Sequence, residues 1–199
     1  MSSGHLAVVG NGSYGQFLAD IALQIGWDKV SIFDDNSGSG CALSDIRLRE
    51  SDLDGFFLGV GNNAARSKLL ARAKDMKLSI ELETIVHPAA IINVSISCPG
   101  SFIGPGAILN SSEVGECCII NSGAVIEHHA KVSDFAHVSP GSIILGGSKI
   151  GSRCWVGAGS IVREEIEIGD DTIVGAGSVV LESFGPNLLI CGAPARNIQ

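Results

Sequence analysis

The sequence predicts a two-part protein: a small α/β unit with a parallel sheet, followed by a long prism of short parallel strands. Three observations predict it. From Ile96 to Val180 every sixth residue is apolar, without a break. Ahead of that run, short apolar strand-like segments alternate with amphipathic stretches. The composition agrees: 26 Gly against seven Phe, two Trp and one Tyr in 199 residues describe a core of small aliphatic side chains and many turns, unlike a helical bundle.

The first element is Leu6-Ala7-Val8-Val9, a buried strand that runs into Gly10-Asn11-Gly12-Ser13-Tyr14-Gly15 and then into an amphipathic stretch, Gln16 to Trp27. Val30 to Phe33 reads as a second strand ending at Asp34-Asp35, and Gly55 to Val60 as a third ending at Gly61-Asn62-Asn63. Ala64 to Met76 is a second helix, with Leu69, Leu70 and Ala73 on its apolar face and Arg66, Lys68 and Arg72 off it. Ile80 to Val86 is a fourth strand, and His87-Pro88 marks the passage into the repeat.

Fifteen consecutive apolar hits at a 45% background arise by chance about 10⁻⁵ of the time in one frame. Four residues after most of them stands a small side chain, from Gly100, Gly106 and Ser112 through Cys118, Ala124 and Ala130 to Ser160, Thr172 and Ser178, with Ile166 and Phe184 as exceptions. A period of six fits neither a helix nor a two-residue strand alternation. It fits three hexads per 18-residue coil, the aliphatics filling the interior and the small residues the corners. His128, His129 and His137 fall off the inward positions 126, 132 and 138, so their side chains point outward. The same register stacks Pro140, Ala158 and Ala176 along one edge.

Composition also excludes functions. Thirteen Lys and Arg against 21 Asp and Glu give a net charge of −8, which leaves no broad basic face for nucleic acid. No apolar run approaches the roughly 18 residues of a membrane span, and the first residues lack a basic segment leading into an apolar one, so a cytoplasmic protein is expected. The six cysteines, Cys41, Cys98, Cys117, Cys118, Cys154 and Cys191, include no C-x-x-C pair, so they read as small buried or turn residues rather than a zinc site. Gly10-x-Gly12-x-x-Gly15 with Asp34 and Asp35 about 20 residues on satisfies the dinucleotide fingerprint. A dinucleotide needs two βαβαβ halves, however, and one half leaves room for a mononucleotide only, against NAD chemistry.

The hexad segment resembles the left-handed parallel β-helix of the hexapeptide-repeat acyltransferases, and the unit before it is Rossmann-like. The whole chain resembles the bacterial nucleotide-sugar N-acetyltransferases that acetylate 4-amino-dideoxy sugars, which belong with the sialic acid O-acetyltransferases in one sequence family. The likeness is strongest at Gly10 to Gly15, Phe33-Asp34-Asp35, Gly61-Asn62-Asn63, Asn121 to Gly141 and Gly192-Ala193-Pro194-Ala195-Arg196. It implies that residues 1–83 bind a nucleotide-activated amino sugar, through Gly12, Ser13, Tyr14, Asp34, Asp35, Gly61 and Asn62. Residues 84–199 would be the acetyltransferase domain, taking acetyl-CoA as co-substrate and no metal. His128 would be the general base, with His129 beside it and Asn121 as polar support; His137, Gly146, Ala158 and Ala176 would meet acetyl-CoA. A homotrimer with active sites between subunits is implied too. Relatives carry Glu or Asp after the base, where this chain has His129, which leaves Glu127 or Asp134 to orient the imidazole. Tyr14 stands where a histidine is common. Two other functions fit the residues: sugar O-acetylation, and a catalytically silent nucleotide-sugar-binding trimer.

Overall fold

The computed structural model describes residues 4–35, 42–94 and 97–199; Cys41 and Ile96 lie outside them. The chain divides into a unit ending at Ile85 and one beginning at Val86.

In the first unit, strands β1 (His5–Val9), β2 (Lys29–Phe33), β3 (Gly55–Leu58) and β4 (Glu81–Leu82) form a parallel sheet in the order β2-β1-β3-β4. β1 and β3 are buried along their whole length, as their unbroken apolar runs require. Helix α1 spans Ser13–Gln24, starting and ending three residues before the amphipathic stretch does. It starts early because Gly12, in extended backbone, accepts the Gln16 N–H at 3.0 Å. It ends early although Trp27, just past it, is buried: apolar periodicity reports burial, not helicity. A short helix, α2 (Leu43–Leu48), was not anticipated. In α3 (Asn63–Asp75) the expectation that Arg66 stands off the buried face is corrected, because Arg66 is 1% exposed. The stretch Ile80 to Val86 is two strands rather than one: Glu81–Leu82 closes this sheet, and Ile85–Val86 belongs to a sheet of the repeat.

The second unit is a left-handed β-helix whose short strands, most of them two residues long, stack into three sheets, eight, six and four strands wide among the described residues, parallel except for the final pair, Leu189–Gly192 with Ala195–Asn197. The inward positions are filled as the hexads demand: Ile120, Ile126, Val132, Val138, Ile144, Ile150, Val156, Val162 and Ile168 all lie in one buried core.

The corner residues bind the stack together. Ser142, Ser148 and Ser160 each donate a hydroxyl proton to a carbonyl in the next coil, at 2.6 to 2.9 Å, and the Cys154 thiol does the same to Gly169 at 3.0 Å. Burial pushes the thiols of Cys98 and Cys154 up to about 11, as suits structural cysteines. The first coil corrects the hexad frame. It is one residue short, so Ile120 lies over Ile103 and Ile126 over Leu109, not over Phe102 and Ile108. Because strand side chains alternate, this one-residue slip exchanges which of each apolar pair faces the core. Ser101 and Ala107 then take the corners, and Gly100 and Gly106 fall in the left-handed turn positions.

Candidate functional site

In the first unit the strand order reverses between β1 and β3, and in open α/β sheets the crevice beyond the strand ends at such a point receives ligands. Three glycines bring the elements together there. A Cβ on Gly15 would lie 1.9 Å from the Gly10 carbonyl oxygen, and one on Gly59 would lie 2.8 Å from the Gly15 Cα. Gly12 differs: a Cβ there would meet nothing within 4 Å. The fold does not demand a glycine at 12, and its absent side chain keeps the α1 N-terminus open to an anion.

The loops after β1, β2 and β3 bring Gly12, Ser13, Tyr14, Asp34, Asp35, Gly61 and Asn62 to this end of the sheet. The side chains of Asp34, Asp35, Asn62 and Tyr14 already have tasks. Asp34 accepts the Asn11 N–H at 2.7 Å and so fixes the Gly-rich turn. Asp35 accepts the Leu43 N–H at 2.8 Å and an Arg72 N–H at 2.6 Å, and the Arg72 bond holds its carboxyl below the usual range. Asn62 caps α3, accepting the Ala65 N–H at 2.9 Å. The Tyr14 ring lies along Gly61, and burial pushes its phenol upward. Arg66, which sequence reasoning set aside, donates from Nη1 to the carbonyls of Val60 and Gly61, and from Nη2 to the Asn63 amide oxygen, at 2.9 to 3.1 Å. It holds the loop after β3 in shape. A cavity of about 320 Å³ beside these groups is walled by Phe33, Leu43 and Leu69 and edged by Asp35, Lys68 and Arg72, an apolar slot with charged rims.

In the β-helix, His128 and His129 form a corner of the second coil. His129 occupies the left-handed position, with φ +62°, and its N–H donates to the Ser111 carbonyl. One coil on stand Gly146 and Gly147, and two coils on Glu164 and Glu165. The His128 imidazole lies flat across Gly146: a Cβ there would be 2.6 Å from the ring Cε1 and 2.8 Å from Nε2. Gly146, expected against acetyl-CoA, is thus first of all the floor under His128. Both histidines are exposed, their rings meet edge-on at 5.3 Å, and they open on a cavity of about 450 Å³ shared with Glu127, Glu164 and Glu165.

The expected supports of His128 are placed otherwise. Asn121 donates to His137, at 3.2 Å, and not to His128. Glu127 accepts from Asn110 at 3.2 Å, and Asp134 accepts the Glu116 N–H at 2.8 Å. His129 makes a ring contact, with no hydrogen bond to His128 among the described residues. His137 stands on a flat face and stacks on Trp155, a residue that periodicity alone marks only as an outward strand position. Pro140, Ala158 and Ala176 do form one exposed edge: Gly159 and Gly177 donate to Pro140 and Ala158 at 3.0 and 2.8 Å. Among the described residues no group of three or more His, Cys, Asp or Glu is placed to hold a metal, and no helix is long and apolar enough to cross a membrane.

Residues 5–73 match the PglD N-terminal domain, and residues 147–182 the bacterial transferase hexapeptide (six repeats) family. PerB from Caulobacter crescentus, solved in complex with CoA and GDP-perosamine, is 30% identical with a TM-score of 0.90, the match covering 98% of each chain. A mutant of the same organism's perosamine N-acetyltransferase, also with CoA and GDP-perosamine, is 29% identical at a TM-score of 0.91, covering 98% of this chain and 97% of that one. The acetyltransferase domain of PglB from Neisseria gonorrhoeae, with acetyl coenzyme A, is 26% identical at 0.86, covering 99% and 100%. With a Gly-rich half-Rossmann sheet, a hexapeptide β-helix and a full-length likeness of this degree in one chain, the protein belongs to the hexapeptide-repeat family of nucleotide-sugar N-acetyltransferases.

Proposed function

We propose that the protein transfers the acetyl group of acetyl-CoA to the amine of a nucleotide-linked amino sugar. The observation that carries this reading is the likeness of both units, end to end, to PerB, which binds CoA and GDP-perosamine. The geometry supplies the chemistry. His128 is an exposed imidazole on a rigid corner, its ring seated on Gly146 and facing a cavity large enough for the reacting groups. A neutral imidazole there takes the proton from the attacking nitrogen as the N–C bond forms, and returns it to the departing thiolate. The crevice at the ends of β1 and β3 holds the nucleotide, its phosphates toward Gly12 and its base toward the slot beside Asp35. The edge at Pro140, Ala158 and Ala176 bears the pantetheine arm.

The assembly is a homotrimer in this reading. Two faces of the prism present apolar side chains, Trp155 and Ile173 at 47% and 42% exposure on one and Ile91 and Ile161 at 53% and 37% on the other. The third presents Glu113, Lys131, Lys149 and Glu167 in ion pairs of 2.9 and 3.7 Å, as suits a face left in water. The protein works in the cytoplasm, where acetyl-CoA is available. The test is release of CoA thiol in the presence of GDP-, UDP- and dTDP-linked amino sugars. One amine acceptor should turn over, and His128→Ala should lower kcat by about 10²- to 10⁴-fold. Turnover with hydroxyl sugars alone, or with none, would sink the reading.

A further inference from the structure

His137 is held from two sides, and the bonds settle where its proton lies. The Asn121 amide is oriented by its neighbour: its Oδ1 accepts the Ser122 N–H at 2.8 Å, so oxygen and not nitrogen faces that donor. The other end of the amide is therefore the NH₂ group, and it faces His137 Nε2 at 3.2 Å. An NH₂ group can only donate, so Nε2 must be the unprotonated ring nitrogen. The ring plane is fixed separately. Trp155 stacks on it at 8° with ring centroids 5.7 Å apart, the offset parallel arrangement that aromatic quadrupoles favour. Trp155 is itself anchored by its indole N–H, which donates to the buried Ser139 hydroxyl at 2.8 Å.

We infer that Asn121 and Trp155 are positioning residues that lock His137 as the neutral Nδ1–H tautomer, making it a fixed hydrogen-bond donor rather than a second acid or base. A thioester carbonyl is the kind of acceptor that such a donor serves, its oxygen gaining negative charge as the amine attacks. Only that last step rests on the acetyl-transfer reading.

The arbiter is long-range ¹H–¹⁵N correlation on uniformly labelled protein, with His137 assigned by its loss in His137→Gln. The ligand-free protein should show a pyridine-like Nε2 and a pyrrole-like Nδ1. Asn121→Asp keeps an acceptor for the Ser122 N–H but replaces the donor to Nε2 with a carboxylate oxygen, so it should give a protonated Nε2. On activity, Trp155→Ala should raise KM for acetyl-CoA roughly 2- to 10-fold, with KM for the nucleotide sugar unmoved, and Trp155→Phe should recover most of the loss. A pyrrole-like Nε2 in the unaltered protein overturns the inference, as does Trp155→Ala with an unchanged KM for acetyl-CoA. A protein that transfers no acetyl group refutes the functional reading, while the tautomer measurement, which needs no substrate, still decides this one.

Discussion

Gly146→Ala adds one methyl group, and the structure says where it goes. Positions 128, 146 and 164 share one corner register, and two of them carry His and Glu, so the backbone there accepts a Cβ. What it meets at 146 is the His128 ring, 2.6 Å from Cε1 and 2.8 Å from Nε2. Ordinary carbon contacts are about 3.5 Å, so the ring must withdraw by about 0.9 Å or rotate away. His128 is exposed, so it can move at little cost, and thermal stability should change by less than about 1 kcal/mol. Catalysis is less forgiving. Displacing a general base by about 1 Å costs on the order of 10²-fold, so kcat should fall by roughly 10- to 100-fold while KM for both substrates stays within about twofold. Thiol release under steady state, with a melting curve on the same preparation, makes the measurement. Full kcat in Gly146→Ala would mean that His128 does not act from the position seen here, and a large loss of melting temperature would mean that the glycine serves the fold.

Ile126→Asp places an unpaired carboxylate in the core column, where Ile126 is fully buried, at a cost of several kcal/mol; a soluble protein with normal melting behaviour would contradict the register. Asp35→Asn removes a carboxyl whose folded pKa is depressed, chiefly by Arg72, so its contribution is full at neutral pH and disappears as the pH falls below the usual carboxylate value. Both partners are partly exposed, so the difference in unfolding free energy at pH 7 should be under about 1 kcal/mol and should disappear as the pH falls through the depressed folded pKa, below the usual carboxylate range. Arg66→Met leaves two carbonyls and an amide oxygen without their buried donor, so the melt of the variant should show a loss of several kcal/mol. His129→Glu is tolerated by the left-handed corner, which already holds Glu165 two coils on, and brings a carboxylate beside His128; the acidic limb of kcat/KM should move to higher pH.

The β-helix was legible because every coil repeats one backbone path, so a single side-chain requirement recurs at a fixed interval. The short first coil was not, and the reason is specific. Phe102 and Ile103 are both apolar, as are Ile108 and Leu109, so the sequence satisfies either frame and only the strand pairing chooses between them. Arg66 was misplaced for a different reason. Two of its partners are backbone carbonyls, which exist at every residue and leave no mark in a sequence, whereas an arginine on an amphipathic helix reads as a solvated charge. α2 is six residues long, too short for a period to show. The glycines show the same limit at the site: Gly10, Gly12, Gly15 and Gly146 look alike in the sequence. Gly10 has a positive φ, Gly15 admits no Cβ beside backbone, a Cβ on Gly146 would displace the His128 ring, and Gly12 answers to nothing within the fold.

His128 and His137 could not be told apart by residue type, and their surroundings separate them. Nine residues is one and a half hexads, so His128 and His137 fall on different parts of the prism, one on a corner and one on a face. A general base must have a lone pair to use and freedom to carry its proton between two atoms of the reaction. His137 Nε2 spends its lone pair on Asn121, and Trp155 holds the ring in plane. His128 has no hydrogen-bond partner on either ring nitrogen among the described residues, and its ring rests on a bare glycine at the mouth of a cavity. The sequence placed Asn121 with the wrong histidine, because seven residues to His128 is the shorter path along the chain than sixteen to His137. In a stacked coil, one turn away is closer than half a turn along. Transferring Asn121 to His137 therefore strengthens the assignment of His128 as the base, since the amide expected to pin His128 pins the other imidazole and leaves this one free to move a proton.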